Sequence, residues 1–410
     1  MEIRPILSAL LRNKTGPILV ALQIALSLAI LANALYIVNE RRAVIGRPSG
    51  LSDEHSTFYI MARTLDNDGP EQRLATARRE AALLRAVPGV ASVAQVSQMP
   101  LSQSGWNTGI TLDRRQQRES AVASMYLSGD SLVETFGLRL VEGRDFVPQE
   151  RVDINEKEKK EPPAHVIVTR ALAGKLWPGV SAIGKTVYFG NNETVEGSRV
   201  VGVVEHLQTQ GAQIGEPGEL SVVLPARLYG NSRTMYAIRT EAGQRERVMK
   251  DAESALRKSS ATPMILEMRT VDQDRKARYR GDVALQWMLV TVSLLLLLIT
   301  CSGIVGMASL WVTQRRKQIG VRRALGARRI DILRYFILEN LMISSAGVFG
   351  GVALGLALNH LLVSQLEMAR LPAVYLIGGA LLFWLLGMAA AYGPAWKAAS
   401  ISPATATRSV

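Results

Sequence analysis

The run Ala284–Val312, ALQWMLVTVSLLLLLITCSGIVGMASLWV, contains no charged residue. It exceeds the ~20 residues that an α-helix needs to cross a hydrocarbon layer about 30 Å thick. Three more runs are also long enough: Pro17–Val38, Pro372–Tyr392, and Ile337–Val363, whose only acid is Glu339. The sequence therefore predicts four transmembrane helices, at residues 17–38, 283–312, 337–363 and 372–392.

The excess positive charge, a formal +13 for the whole chain, is concentrated in segments that flank these runs. The segments are residues 1–16, the turn 313–336 and the tail 393–410. The long segment 39–282 and the loop 364–371 are nearly balanced. Because cytoplasmic loops carry the excess of Lys and Arg, both termini and the turn are predicted to be cytoplasmic and residues 39–282 to lie outside. Anionic lipids are then the expected partner of the arginines, and no nucleic acid is expected.

The first apolar run also has features of a signal peptide. Basic residues precede it, and Ala32-Asn33-Ala34 has the small residues of a cleavage site. The run is longer than the usual apolar region of a cleaved signal, which favours an uncleaved signal anchor. The single cysteine, Cys301, lies in the second run, so the outer domain is predicted to fold without a disulfide.

Residues 39–282 contain both helical and strand periodicity, which predicts an α+β domain between the first two crossings. One β-α-β unit is predicted within residues 51–100 and a second within residues 220–275. These flanking units are expected to pair into one lobe, with residues 101–219 inserted as a second, strand-rich lobe. The stretch Gln208–Glu219, rich in Gly and Gln, is expected to be mobile.

The stretch Gly179–Thr186, GVSAIGKT, matches the phosphate-loop pattern letter for letter. A phosphate loop follows a strand and begins a helix, because the helix N-terminus and the exposed amides hold the phosphates. Here a helix ending at Trp177-Pro178 precedes the match, and the β-prone Val187-Tyr188-Phe189 follows it. The pattern therefore predicts a turn leading into a strand, and nucleotide binding is not expected.

No other motif indicates enzymatic chemistry. The four histidines are scattered, no His pair has the spacing of a zinc helix, and Gly-x-Ser-x-Gly is absent from the sequence. We expect this chain to carry no catalytic residue, no metal and no bound cofactor of its own.

The turn Arg315–Arg334 reads RRKQIGVRRALGARRIDILR. Its pattern, with Gly320 and Gly326 around an amphipathic segment, predicts a short helix that ends at Gly326 and a second that begins near Arg328. The second helix is expected to place three apolar residues on one face: Ile330, Leu333 and Ile337. A lipid-surface anchor would explain the charges but would not require these glycines. A helix that docks a cytoplasmic protein would explain both.

The stretch Gln318–Ala327, QIGVRRALGA, resembles the signature of the FtsX-like permeases, and within them the MacB-type subunits of ABC transporters. Glu339 matches an acid that is usual early in the third crossing of that family. Gln318 departs from the family pattern, which usually has Glu, so the pairing with an ATPase could differ in this chain. Further stretches similar to the MacB-type family are Leu138–Phe146, Pro178–Lys185, Val200–Val204 and Pro403-Ala404.

The resemblance implies an ATPase-coupling site made of Gln318, Ile319, Gly320, Arg322, Arg323, Ala324, Leu325, Gly326 and Ala327. Within it, four small or apolar residues are expected to pack into the ATPase cleft: Gly320, Ala324, Leu325 and Gly326. Arg322 and Arg323 could bind either lipid phosphate or acidic ATPase residues. Glu339 is expected either to pair with an arginine or to lie at the headgroup level, which its early place in the crossing favours.

The function implied is that of a permease subunit in the inner membrane, moved by ATP hydrolysis in a separate ATPase that binds the ATP and Mg. Sixteen residues precede the first run, so this ATPase is expected in trans. The permease is expected to export peptides, toxins or other periplasmic substrates as a homodimer or heterodimer, with an adaptor and an outer-membrane duct. The alternatives are an FtsX-like transducer of a cell-wall hydrolase and a lipoprotein-extraction permease. The two-lobed domain favours export.

Overall fold

The computed structural model describes residues 14–66, 68–157, 161–190, 196–260, 262–366 and 370–400. The chain divides into two compact units. The membrane unit comprises Met1–Ile45 and Asp282–Val410, and the α+β unit comprises Gly46–Gly281.

The helices are α1 Thr15–Ile45, α2 Pro70–Arg85, α3 Leu132–Phe136, α4 Arg170–Leu176, α5 Arg245–Ser259, α6 Val271–Gln314, α7 Arg316–Ala324, α8 Arg329–Leu366 and α9 Ala373–Ala399. The strands are β1 Thr57–Thr64, β2 Val90–Gln95, β3 Asn107–Thr111, β4 Ala121–Leu127, β5 Leu140–Gly143, β6 Val152–Asn155, β7 His165–Thr169, β8 Thr186–Phe189, β9 Ser198–Val204, β10 Ser221–Leu224, β11 Ala226–Tyr229, β12 Arg233–Thr240 and β13 Met264–Thr270. Short 3₁₀ helices lie at Pro148–Glu150 and Glu216–Glu219.

Among the residues that the structure describes, four helices, α1, α6, α8 and α9, are long and apolar enough to cross a membrane. This confirms the predicted class of an α+β membrane protein with its large domain between the first two crossings. While α1 and α9 continue past the predicted ends, to Ile45 and Ala399, the other two helices begin before the predicted crossings, α6 at Val271 and α8 at Arg329. Their charged first turns continue the helix because backbone hydrogen bonding does not depend on an apolar environment.

Helix α1 is the most enclosed of the four. In its apolar stretch 56% of the residues are buried, against 17% in that of α6. It packs closely on α8, where a Cβ on Gly347 would lie only 2.8 Å from the carbonyl oxygen of Ala21. The hydroxyls of Ser27 and Thr300 are 2.8 Å apart and join α1 to α6. Small residues and interhelical hydrogen bonds are the means by which helices associate in lipid, where the hydrophobic effect does not operate between them.

In the α+β unit, the flanking lobe is a four-stranded antiparallel sheet in the order β13-β1-β12-β2. Helices α2 and α5 contribute to its core, which includes Phe58, Ile60, Leu84, Ile238 and Val248. Two β-α-β segments far apart in sequence therefore form a single split β-α-β sheet, with β12 between β1 and β2.

The inserted lobe is a seven-stranded sheet in the order β5-β9-β7-β10-β4-β3-β8, in which β8 also pairs with β9. The predicted boundary at residue 220 is corrected here, because β10 belongs to this sheet and not to the flanking lobe. It runs parallel to β4 and antiparallel to β7. All four residues of β10 are buried, as is typical of a strand in the interior of a sheet that is covered on both faces. Sequence reasoning missed four short strands, β3, β5, β6 and β11.

The match to the phosphate-loop pattern lies between α4 and β8, with a helix before it and a strand after it. The amide of Gly184 donates to the carbonyl of Val200 at 2.8 Å, and the amide of Lys185 donates to that of Ala182 at 3.1 Å. These amides are engaged within the protein, so they do not form the anion cradle that the pattern would require.

A buried acid lies in the flanking lobe. The carboxyl of Glu80 on α2 is almost fully buried and accepts a hydrogen bond from the hydroxyl of Tyr236 on β12 at 2.6 Å. Burial raises the pKa of Glu80 above its usual range, because removal from water disfavours the charged form. The stability that this shift contributes is therefore present below the ordinary carboxyl pKa of about 4.3 and is lost as pH rises through the raised value.

Glu80→Gln is expected to flatten the dependence of stability on pH and to stabilise the protein at the alkaline end. Glutamine remains neutral and can still accept from Tyr236. The measurement is hydrogen exchange of β12 across a pH series, corrected for the intrinsic exchange rate. Glu246→Gln, at an exposed carboxyl on α5, serves as the control. Equal pH dependence in wild type and Glu80→Gln would contradict the assignment.

Candidate functional site

Helix α7 directly follows α6 and is anchored on one face. Ile319 and Gly320 are buried, and Ile319 packs in an apolar cluster with residues of α8 and α9. The other buried members of this cluster are Ile332, Leu333, Phe336, Ala395, Ala398 and Ala399. Gly320 lies within the helix, where the sequence pattern had suggested a boundary. Both residues therefore belong to the packed face and are not available on the surface.

The other face of α7 exposes apolar side chains. Leu325 is 83% exposed and Val321 is 54% exposed, although both are large and apolar. Ala324 and Gly326 are exposed beside them. The predicted site residues are therefore split by the fold, with Ile319 and Gly320 packed inside and this apolar patch outside.

The end of α7 is held by a Schellman motif. Gly326 has a φ of 97° and its amide donates to the carbonyl of Arg323 at 3.2 Å. The amide of Ala327 donates to the carbonyl of Arg322 at 3.0 Å. Glycine adopts this left-handed conformation without the steric cost that a Cβ brings. The motif thus holds Leu325 at the end of the helix in a defined position.

Glu339 pairs with an arginine. Nη1 of Arg315 lies 2.9 Å and 2.8 Å from the two carboxylate oxygens of Glu339. The Glu339 side chain is 1% exposed, and the Arg315 guanidinium also lies 5.9 Å from the ring centroid of Trp311. Of the two alternatives for Glu339, the structure gives the arginine pair, which links the α6–α7 elbow to α8.

Arg322 and Arg323 also make contacts within the chain. The Arg322 guanidinium lies 5.1 Å from the ring centroid of Tyr335 on α8. Nη1 of Arg323 lies 3.4 Å from the carbonyl oxygen of Ala399 on α9. Gln318 is exposed and, with Arg315 and Arg322, lines a cavity of about 170 Å³. These arginines therefore position α7 as well as contributing positive charge beside its apolar patch.

The predicted apolar face at the start of α8 is only partly correct. Leu333 is buried and Ile337 is partly buried, but Ile330 is 59% exposed. The side chain of Asp331 accepts from the amide of Arg328 at 3.0 Å and so satisfies a free amide at the helix start. Ile330 instead lines a cavity of about 240 Å³ with Leu333 and Ala399, at the edge of the packed cluster.

The first turns of α6 belong to the α+β unit and are held within it at several points. The hydroxyl of Tyr59 donates to Asp274 at 2.7 Å. Arg275 contacts both carboxylate oxygens of Glu54, at 2.6 Å and 2.8 Å. Burial alone would raise the pKa of Glu54, but the hydrogen bonds from Arg275 hold it below its usual value. Arg278 donates to the carbonyl oxygens of Gly211 and Ala212, which lie in the loop between β9 and β10.

Among the residues that the structure describes, no group of three or more His, Cys, Asp and Glu side chains is placed to hold a metal ion.

Family models match most of the chain. The MacB-like periplasmic core domain matches residues 18–255, and the FtsX-like permease C-terminal model matches residues 290–403. The chain belongs to the MacB-type, FtsX-like permease family. It is accordingly a multi-pass protein of the inner membrane, in which the α+β unit corresponds to the MacB-like periplasmic domain.

Curated relatives of this family include the macrolide export ATP-binding/permease protein MacB of Neisseria gonorrhoeae, 26% identical over 68% of this chain and 42% of the relative. The pyoverdine export ATP-binding/permease protein PvdT of Pseudomonas putida is 29% identical over 69% of this chain and 43% of the relative. The chain thus matches less than half the length of these relatives. Among solved structures, the periplasmic region of MacB from Actinobacillus actinomycetemcomitans is 15% identical, with a TM-score of 0.34, and covers 57% of this chain and 97% of its own.

Proposed function

We propose that this chain is the transmembrane permease subunit of a MacB-type ABC transporter, which exports peptides, toxins or other periplasmic molecules. The exposed apolar patch on α7, centred on Leu325, carries this proposal. ATP and Mg are bound by an ATPase, and this chain supplies the docking helix and the periplasmic domain.

The patch has the character of a docking site. Leu325 and Val321 form an apolar centre, and the flanking Arg316 and Arg322 are exposed. An apolar centre with a charged rim is the usual arrangement of a protein interface. The opposite face of α7 is packed on α8 and α9, so a force applied to the patch moves a supported helix. A lipid anchor explains the arginines but does not require the Schellman motif that positions Leu325.

Motion of α7 reaches the α+β unit through α6 in this proposal. Helix α6 has 44 residues and runs without a break from Val271 to Gln314, a length of about 66 Å at 1.5 Å per residue. Its first turns belong to the α+β unit and are held there by Asp274, Arg275 and Arg278. In this proposal, displacement of α7 is passed along the continuous helix α6, so transport does not require a substrate path between the helices.

The remaining partners follow from this arrangement. Only 17% of the residues in the apolar stretch of α6 are buried. This leaves a face for a second permease subunit, in a homodimer or a heterodimer. The positive charge of the turn supports a cytoplasmic location for both termini and α7, with anionic lipids beside the arginines. An adaptor and an outer-membrane duct complete an export system. The two-lobed α+β unit supports export, and hydrolase control and lipoprotein extraction stay as alternatives.

The test is purification of the full chain from its native host in lipid nanodiscs, with identification of co-purifying proteins by mass spectrometry. An ABC ATPase recovered with the chain supports the proposal, and an accompanying adaptor supports export. A periplasmic hydrolase recovered without an adaptor would favour the transducer alternative. Recovery of neither, under conditions that retain other ABC complexes, would overturn the transporter proposal.

A further inference from the structure

A cleft of about 190 Å³ lies in the α+β unit, beside the indole of Trp106. Trp106 is 51% exposed although it is large and apolar. Leu127, Leu228 and Met235 also line this cleft and are buried or partly buried. The cleft therefore offers an open aromatic face beside an apolar wall.

The remaining lining is dominated by neutral hydrogen-bonding side chains. The cleft is lined by Gln95, Ser97, Ser104, Asn231 and Thr234, together with one acid and one base, Glu156 and Arg233. Oε1 of Gln95 accepts no hydrogen bond from the described residues, while its Nε2 donates to the carbonyl of Leu228 at 2.9 Å. Amides and hydroxyls both donate and accept, so they match a ligand that also does both.

Three backbone amides that line the cleft are already paired. The amide of Val96 donates to Met235 at 2.9 Å and that of Ser97 donates to Leu127 at 3.0 Å. The amide of Trp106 donates to Oε1 of Gln98 at 2.7 Å. An extended peptide binds chiefly through free backbone groups at a strand edge. The cleft therefore favours a compact ligand that is recognised by side chains.

The cleft is also connected to α6. Arg278 donates to the carbonyls of Gly211 and Ala212, at 2.7 Å and 3.0 Å. These residues follow Gln210, whose side chain donates to Asn107 at 3.0 Å. Asn107 directly follows Trp106. Within the loop Gln208–Glu219, which the sequence suggested was mobile, residues 208–212 are mostly buried and join α6 to the wall of the cleft, while most of residues 213–217 are exposed.

We propose that this cleft binds a single polyhydroxylated ring, the unit of a saccharide, with its C–H face on the indole of Trp106 and its hydroxyls on the amides and hydroxyls of the rim. The negative face of an indole attracts the slightly positive C–H groups of such a ring. Each ring hydroxyl donates and accepts, as the lining side chains do. The inference that the cleft binds the transported molecule rests on the proposed function. The inference that the cleft binds a saccharide ring does not depend on that function.

The test uses the full chain in lipid nanodiscs, because sugar-based detergents would compete for the site. Binding of N-acetylglucosamine is followed by saturation-transfer NMR, with trialanine as the peptide probe. We expect N-acetylglucosamine to bind and trialanine not to bind. Trp106→Ala is expected to weaken it about tenfold, since stacking on an aromatic ring contributes on this scale. Asn231→Ala provides a second, milder change at the rim.

Trp287→Ala is the matched control, because this exposed indole lies in the membrane unit outside the cleft. It is expected to leave binding unchanged. The proposal would be overturned if the wild-type protein gave no saturation transfer to N-acetylglucosamine. It would also be overturned if the transfer persisted in both Trp106→Ala and Asn231→Ala. Trialanine binding that Trp106→Ala abolishes would make this a peptide site instead. The assay needs no ATPase, so its failure is distinguishable from failure of the proposed function.

Discussion

Leu325→Asp is expected to abolish recovery of the ATPase with this chain while the chain still folds. Leu325 is 83% exposed, so its loss removes little packing from the isolated chain. In the complex, a carboxylate would be buried in an apolar cleft without a partner. A hot-spot residue near the centre of an interface contributes about 2 kcal/mol or more, and 2 kcal/mol corresponds to about a thirtyfold loss of affinity.

The experiment compares ATPase recovery from wild type, Leu325→Ala and Leu325→Asp in nanodiscs. Leu325→Ala is expected to recover part of the ATPase that wild type recovers, and Leu325→Asp is expected to recover none. Leu65→Asp is the matched control, because Leu65 is 59% exposed in the α+β unit. Melting temperatures of all variants should agree within a few degrees. Equal ATPase recovery from wild type and Leu325→Asp would show that the patch is not the docking surface.

Arg315→Ala is expected to destabilise the membrane unit by about 3–5 kcal/mol, the usual cost of removing one partner from a buried ion pair. The Glu339 carboxylate is 1% exposed and has Arg315 on both of its oxygens. Without the guanidinium it must either be protonated or draw in water. We therefore expect a lower melting temperature and faster proteolysis at the turn between α7 and α8.

The double substitution Arg315→Leu with Glu339→Leu tests this cause. An apolar pair of similar volume leaves no buried charge, so the double variant is expected to be close to wild type and more stable than Arg315→Ala. A double variant as unstable as the single one would show that the arginine acts by packing against Trp311 and not through the ion pair.

The predictions at Leu325 and Arg315 differ in how much of their basis could be predicted from the sequence. Leu325 was predictable, because the QIGVRRALGA stretch combines apolar and charged residues at helical spacing and ends in a glycine. The burial of Gly320 was not predictable, since it depends on α8 and α9 at the back of α7. The partner of Glu339 was not predictable either, because Arg315 is one of several arginines within reach along the sequence.

The same division applies to the α+β unit. Helices α2 and α5 and strands β4 and β8 follow from local periodicity, which acts over a few residues. The placement of β10 in the inserted lobe does not, because SVVL can pair in either sheet. The cleft beside Trp106 brings together side chains from residue 95 to residue 235, and no local pattern links them.

The sequence by itself determined the four crossings, the α+β class of the domain between the first two, and the amphipathic helix of the turn. It did so because hydrophobic length, charge asymmetry and periodicity act locally along the chain. Only the tertiary structure decided which face of α7 is free, which arginine neutralises Glu339, and where β10 pairs. These depend on contacts between residues that are distant in sequence, whose free energies are set by packing and desolvation in the folded chain.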